Sequence, residues 1–478
     1  MVQVLWLIGL PLGAATLVYV LRRFWAGAII AALVALLLAW LAVNIPTGVV
    51  LNLLGRTVEL DTLSQATLFF VFGATAALFL NLIFVTHATR QQRHGTSQRA
   101  TGQIGRVFYP AALVILGLFV AASVTRHPGI TAMIIELAAI IMVFIIQSER
   151  LESTRAALRF LILVSLATPL FLLAAWTVDN VQLTDRVISA ETIEWVALLV
   201  GVGFAIWLAV VPFHSWLTST AAESSPPTAA FVLIVFPTVA ITAFLHLLAD
   251  WPWLTDSLFL TRAIVLAGVV TAFTGGVLAF IQRGFSELLG HAALFDLGCI
   301  IAVLGVGGPT AVLTVLVYLA VRMLALVLLA VAMSTINLRA TSTGFSQIQG
   351  IAYRMPLATF ALMVGGFTLA GLPFTAGFAP HWHLFNLMAD LDLRGVILLV
   401  LGGFGVAGGY LRGLRAALST GGGSAKKEPR SLTNFEEPAP LLFLLIVLCT
   451  IVILFGLFPA LLIEPLDRFA IALSFPGR

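Results

Sequence analysis

Val317-Tyr-Leu-Ala-Val-Arg-Met-Leu-Ala-Leu-Val-Leu-Leu-Ala-Val331 is apolar throughout except for one arginine, Arg322, near its centre. With its flanks the run covers 310–334, more than the ~20 residues a helix needs to cross ~30 Å of hydrocarbon. Segments of the same kind lie near 3–21, 24–45, 63–86, 107–125, 130–147, 157–176, 194–213, 228–249, 262–282, 285–306, 357–385, 394–415 and 441–464. The pattern predicts an all-α, polytopic membrane protein of about fourteen transmembrane helices. Composition agrees. Of 478 residues, 60% are hydrophobic and only 10% are charged, whereas a soluble domain carries about 25% charge to keep its surface wet. Mean hydropathy is +1.09.

The stretch 357–385 contains Gly365, Gly366, Gly371, Pro373 and Gly377. It reads as a broken helix, which survives at membrane depth only where protein or a water-filled cavity satisfies the freed backbone groups. Pro237 inside 228–249 suggests a counterpart in the first half, as inverted repeats would place it. The expected organisation is three N-terminal helices over 1–106, a first repeat over 107–249, a second over 250–415, a cytoplasmic linker over 416–440 and a C-terminal helix over 441–478.

The net charge of +4 follows position and needs no nucleic-acid partner. Arg22 and Arg23, then Arg90, Arg93, Arg99 and Arg106, then Arg150 and Arg155, then Lys426, Lys427 and Arg430 all fall in loops after odd-numbered helices. The positive-inside rule makes that side cytoplasmic and puts both termini outside a cell (inner) membrane. The first apolar run ends in Arg22 and Arg23 with no cleavage-site pattern, so no signal peptide is expected. Cys299 and Cys449 both sit in apolar runs, which leaves no disulfide framework or thiolate metal site. No cofactor is expected either, since there is no iron–sulfur cysteine cluster, nucleotide loop or paired haem histidines.

Charges at membrane depth cost an estimated ~2.5 kcal/mol or more, so each marks a candidate site. They are Glu136, Arg159, His214, His246, Glu287, His291, Asp296, Arg322, His381 and His383. Spread over many helices, such residues could form a proton relay. Glu136 has no charged neighbour within a turn, and it reads either as a relay member or as half of a structural ion pair. For Arg322 a salt bridge to a carboxylate weighs equally with a transport role. Asp296 and His291, five apart, do not share one face as i and i+4 residues do, and either reads as a satisfied polar contact or a relay group. His246, close to Asp250, reads as interfacial, and Arg159 as snorkelling to the cytoplasmic edge. A metal pair from His381 and His383 is disfavoured by their i, i+2 spacing.

Several stretches resemble the large antiporter-like subunits of respiratory complex I and of multisubunit cation/proton antiporters. Val211-Pro-Phe-His-Ser-Trp-Leu217 with Ser225-Pro-Pro-Thr228 looks like the family's P-x-H-x-W-L loop and Pro-Thr-Pro helix start. Gly350 to Pro356 with Leu369-Ala-Gly-Leu-Pro-Phe-Thr-Ala-Gly-Phe378 is similar to its second broken helix. Gln282 to Gly298 resembles its Q-x-x-x-K-R-L-L-A-Y-S-S segment, and Val58-Glu-Leu-Asp-Thr-Leu-Ser64 its D-x-L-S segment. The resemblance implies a membrane-arm subunit of a complex I-type (NADH:quinone oxidoreductase-like) assembly. Its partners would be other membrane subunits, lipid, and protons or monovalent cations. It makes Glu136, His214, His291, Asp296, Arg322 and His381 the proton or ion pathway, with Glu136 as the fifth-helix glutamate and His381 at the broken-helix lysine or glutamate. The chain departs from the pattern as well. Its only two lysines, Lys426 and Lys427, lie in the linker, and the seventh-helix lysine of the family would fall at Phe236, Pro237 or Thr238. Three functions therefore stand: an ion-conducting module, a structural paralogue that no longer conducts, and a self-contained secondary transporter.

Overall fold

The computed structural model describes residues 2–48, 50–53, 56–92, 101–147, 153–183, 189–254, 258–340, 343–419 and 437–471. Arg93, Arg99, Arg150, Lys426, Lys427 and Arg430, and most of the expected linker, lie outside these residues. The elements in order are α1 (Val2–Val20), α2 (Trp25–Asn44), β1 (Val50–Leu53), β2 (Arg56–Glu59), α3 (Thr62–Gln92), α4 (Thr101–Val124), α5 (Pro128–Gln147), α6 (Ser153–Leu183), α7 (Ala190–Trp207), α8 (Ser215–Glu223), α9 (Pro226–Asp250), α10 (Leu258–Ile281), α11 (Phe285–Val306), α12 (Pro309–Asn337), α13 (Ile351–Arg354), α14 (Pro356–Leu369), α15 (Phe378–Ala389), α16 (Leu393–Leu418), α17 (Ala439–Leu457) and α18 (Ala460–Ile471). The antiparallel pair β1–β2, joining α2 to α3, is the one sheet among the described residues.

Twelve helices among the described residues are long and apolar enough to span a membrane, and Val4–Val20 and Pro356–Leu369 are shorter apolar helices. The expected count of fourteen thus exceeds the helices that meet the length requirement. The difference lies in α1 and in the first half of the second broken helix. The bundle is layered by burial: α12 is buried along 94% of its apolar window, and α9 and α11 along 89%, while α2, α6 and α10 are buried along only 39%. The three central helices carry His246, His291, Asp296 and Arg322. Small residues set the closest contacts, as in membrane helix packing generally: a Cβ at Gly276 of α10 would run into the Gly402 backbone of α16.

Two helices are broken, one in each half. The second break is where the glycines and Pro373 put it, between α14 and α15. Gly371 there has φ +72°, and a side chain on it would strike the His381 ring, so glycine is required twice over. The first break is not at Pro237. That proline sits inside the continuous helix α9, where Thr238 Oγ1 donates to Ile234 O at 2.6 Å and Thr242 Oγ1 to Thr238 O at 2.9 Å; neighbouring helices and hydroxyl side chains make such a proline tolerable in a membrane. The break falls at 208–214, between α7 and α8, where Ala209 has φ +53°. Four spanning helices separate the two broken ones, so they cross the bilayer in opposite directions, as inverted repeats do. A carboxylate sits near the start of a helix in each half: Glu223 accepts from Ala156 N at 2.9 Å and Glu437 from Ala358 N at 2.8 Å. Both meet the positive end of a helix dipole.

Candidate functional site

α11 joins the two breaks. At Gly290 it presses against the backbone of Thr218 on α8. One and a half turns later Phe295 stacks on His381 of α15, with centroids 5.7 Å apart and planes at 15°. α11 thus packs against both broken helices in turn.

At the second break the cluster is fully buried. Asp296 Oδ2 accepts from Arg322 Nη1 at 2.7 Å, and the two side chains are 2% and 1% exposed. Arg322 Nη1 also donates to Ala293 O at 2.8 Å. Tyr318, one turn along α12 from Arg322, lies edge-on to His381 at 5.0 Å. His381 Nδ1 donates to Gly377 O at 2.8 Å, which leaves Nε2 as the acceptor of a neutral ring. His381 Nε2 and Arg322 Nε and Nη2 are buried without a protein partner, while Tyr318 Oη lies within hydrogen-bonding reach of the Cys299 thiol. More than nine in ten buried polar groups are satisfied, so the open groups of His381 and Arg322 beside one break call for partners that the protein does not supply.

His214 and His291 lie toward the first break. His214 precedes α8, and its half-buried ring lies within reach of the Pro212 carbonyl. His291 Nδ1 donates to Glu287 O at 2.8 Å. The two rings are near enough to act on each other electrostatically. Glu287 and His383 are exposed; His381 is buried, so the two histidines do not converge on a metal. Arg159 is exposed on α6.

Glu136 stands apart from these groups. Ser165 Oγ donates to its Oε1 and Thr168 Oγ1 donates to Oε2 at 2.9 Å. Among the described residues it has no basic partner within ion-pair distance. Its neighbours Met133 and Leu137 are 59% and 49% exposed, which puts Glu136 at the edge of an outward face of α5 and α6. An aromatic block stands beside the first break. Phe160, Trp216 and Phe236 meet at 5.2 to 5.4 Å, with Trp207 at 6.3 Å from Phe236. The indole N–H groups of Trp207 and Trp216 donate to Val164 O and Ile206 O, so the block is satisfied without water. Residues 236–238 belong to α9, one helix beyond the broken pair; the seventh crossing is α7 with α8, and Trp207 ends its first half.

One cluster escaped the sequence. Asp61 Oδ2 accepts from His246 Nε2 at 3.0 Å, and Arg126 Nη2 lies 3.5 Å away. Asp61 Oδ1 accepts from Ser64 N at 2.9 Å, and Arg126 also reaches Glu59 at 3.3 Å. Burial works to raise the Asp61 carboxyl, but the hydrogen bond and charge of His246, the Ser64 bond and the charge of Arg126 overcome it and hold the group well below the usual carboxylate range. His246 is 5% exposed and lies near the end of α9, beside Asp250, where it is bound to Asp61 in the segment before α3. The sequence showed the D-x-L-S segment and the histidine, but their pairing spans 185 residues.

Residues 130–406 match the family described as NADH:quinone oxidoreductase/Mrp antiporter, TM. Among curated proteins, NADH-quinone oxidoreductase subunit N of Rhodospirillum rubrum is 25% identical over 279 residues, covering 56% of this chain and 57% of that one. Formate hydrogenlyase subunit 3 of Escherichia coli is 24% identical over 303 residues, covering 60% and 49%. The chain thus spans about half the length of these curated relatives. Solved structures share the fold over nearly the whole chain. A chain of respiratory complex I from Thermus thermophilus superposes with TM-score 0.78 at 21% identity, covering 99% of this chain and 100% of that one. A chain of the Mrp complex from a Dietzia species gives 0.78 at 18%, covering 99% and 97%. With the family match covering more than half its length, this multi-pass membrane protein belongs to the NADH:quinone oxidoreductase/Mrp antiporter transmembrane family.

Proposed function

We propose that this chain is the antiporter-like membrane-arm subunit of a complex I-type assembly, and that its proton-active centre lies at the second break. The observation that carries this reading is the contrast between the two breaks. Around α14–α15, Asp296, Arg322, Tyr318 and His381 form a buried group with unpartnered donors and acceptors. Beside α7–α8, Phe160, Trp207, Trp216 and Phe236 pack into an aromatic block whose indole N–H groups are already satisfied.

In this reading a proton enters through His214 and His291, reaches the Asp296–Arg322 pair, and leaves through His381. Histidine suits the exchange because its unperturbed pKa of ~6.5 lies near physiological pH. Arg322 stays charged throughout, so it tunes the carboxylate and does not carry the proton. Glu136, on its half-exposed face, meets a neighbouring subunit and signals across that boundary instead of feeding the interior. The charge bias of the loops supports a cytoplasmic side at 22–23 and 90–106, with both termini opposite.

The test is proton uptake in vesicles carrying the purified assembly. His381→Ala and Asp296→Asn are expected to lower uptake at least tenfold while the subunit stays assembled. Unchanged coupled uptake in both rejects a pathway through this chain. It would favour the non-conducting structural subunit, for which the aromatic block and the absence of any intramembrane lysine already speak.

A further inference from the structure

The first half of the second broken helix has no cap of its own. α14 opens on Pro356, and Met355 before it offers no side-chain oxygen to the free amides of the first turn, which every helix must satisfy somehow. The acceptor comes from 79 residues away. Glu437, two residues before α17, accepts from Ala358 N with its Oε1 at 2.8 Å and from the Leu357 amide as well. It is half-buried there, while Arg354 at the end of α13 is exposed and forms no ion pair with it among the described residues. The carboxylate therefore belongs to α14, where the positive end of the helix dipole favours it.

The far end of α14 touches the start of α15. A Cβ on Gly377 would run into Thr368 O, the carbonyl that also accepts from Gly371 N at 3.2 Å. Gly377 O in turn accepts from His381 Nδ1 at 2.8 Å, and a side chain on Gly371 would strike the same ring. Between these ends α14 is held close, with Gly365 against Leu329 of α12 and Gly366 against the Tyr410 ring of α16. No proline interrupts it after Pro356, so it moves as one rod. We propose that Glu437 is a positioning residue for the buried centre: docked on the first turn of α14, it fixes where that helix ends and so holds His381 in the place and tautomer that leave Nε2 open. The role rests on the proton pathway through His381 proposed above.

The experiment uses the full chain in its native assembly, reconstituted in vesicles with isotope-labelled histidine. Solid-state NMR reads the ring nitrogens, and His381→Gln assigns the His381 signals by difference. The parent is expected to show one neutral ring, protonated at Nδ1 and bare at Nε2. Glu437→Ala should cut that signal at least twofold in favour of a second form and lower proton uptake at least fivefold. Glu437→Gln keeps an oxygen for the two amides and should restore both to within twofold of the parent. Ser189→Ala removes a side-chain cap from α7, in the other half of the chain, and should change neither. Glu437→Asp, one methylene short of the same reach, repeats the test if the alanine variant fails to assemble. A His381 ring unmoved by either shortened side chain, or moved as far by Ser189→Ala, would overturn the assignment. Uptake indifferent to His381→Gln removes the pathway instead, and the ring spectrum still decides whether Glu437 positions the histidine.

Discussion

Asp296→Ala removes the only carboxylate on a guanidinium that is 1% exposed. Interhelical hydrogen bonds between neutral groups in bilayers are worth only ~0.6 kcal/mol on average. This pair is different in kind, because the residue left behind stays charged. Breaking a buried ion pair by removing one partner costs ~3–5 kcal/mol, whereas replacing both partners with apolar residues of similar volume is often near neutral. Arg322 keeps its bond to Ala293 O, which sets the expectation at the lower end, ~3 kcal/mol for Asp296→Ala. Asp296→Leu strands the same guanidinium and should cost a similar ~3 kcal/mol, whereas Asp296→Leu with Arg322→Met should lie within ~1 kcal/mol of the parent, which gives a coupling of at least ~2 kcal/mol. Reversible unfolding of the purified chain in bicelles, run as a double-mutant cycle, reads all four corners. A coupling below ~0.5 kcal/mol, the level at which independent sites add, would refute the buried pair. The double variant also separates stability from transport: it should fold and fail to conduct.

Gly276→Val should drive α10 from α16, since even a Cβ collides with the Gly402 backbone; overpacking of this kind costs ~1–3 kcal/mol, readable as a lowered melting temperature, and an unchanged value would contradict the contact. Asp61 is held below its ordinary value of 3.8, so its contribution is present above pH 3.8 and is lost as pH falls further. Asp61→Asn should therefore destabilise the chain at neutral pH and flatten the acid side of its stability profile; a parallel profile would refute the cluster with His246. Glu437 has the opposite sign. Burial raises its carboxyl above 4.5 against the pull of the Ala358 and Leu357 amides, so stability tied to it is present below pH 4.5 and declines as pH rises through the elevated value, and Glu437→Gln should remove that decline from a thermal-melting series.

How much of this was readable beforehand depended on the range of the forces involved. The spanning segments are local runs of apolar residues, and hydropathy alone places them. The second break carries its own marks, since Gly371 and Pro373 disrupt a helix wherever they stand. The first break has no glycine between Trp207 and His214, and the proline that drew attention, Pro237, is absorbed by its surroundings. Arg322 announced that it needed a carboxylate, but choosing Asp296 required the packing of α11 on α12. The partner of His246 was not legible because Asp61, just before α3, stands 185 residues away in the chain. Trp207, Trp216, Phe160 and Phe236 come from four separate elements, and only the fold makes them one block.

The central claim is that water reaches the second break and not the aromatic block of the first. Hydroxyl-radical footprinting of the intact assembly measures this directly, because oxidation of a buried side chain needs water beside it. Tyr318 and His381 are expected to oxidise readily, while Trp207, Trp216 and Phe236, intrinsically reactive as they are, remain unmodified. Protection of Tyr318 and His381 together with oxidation of the tryptophans would contradict the account.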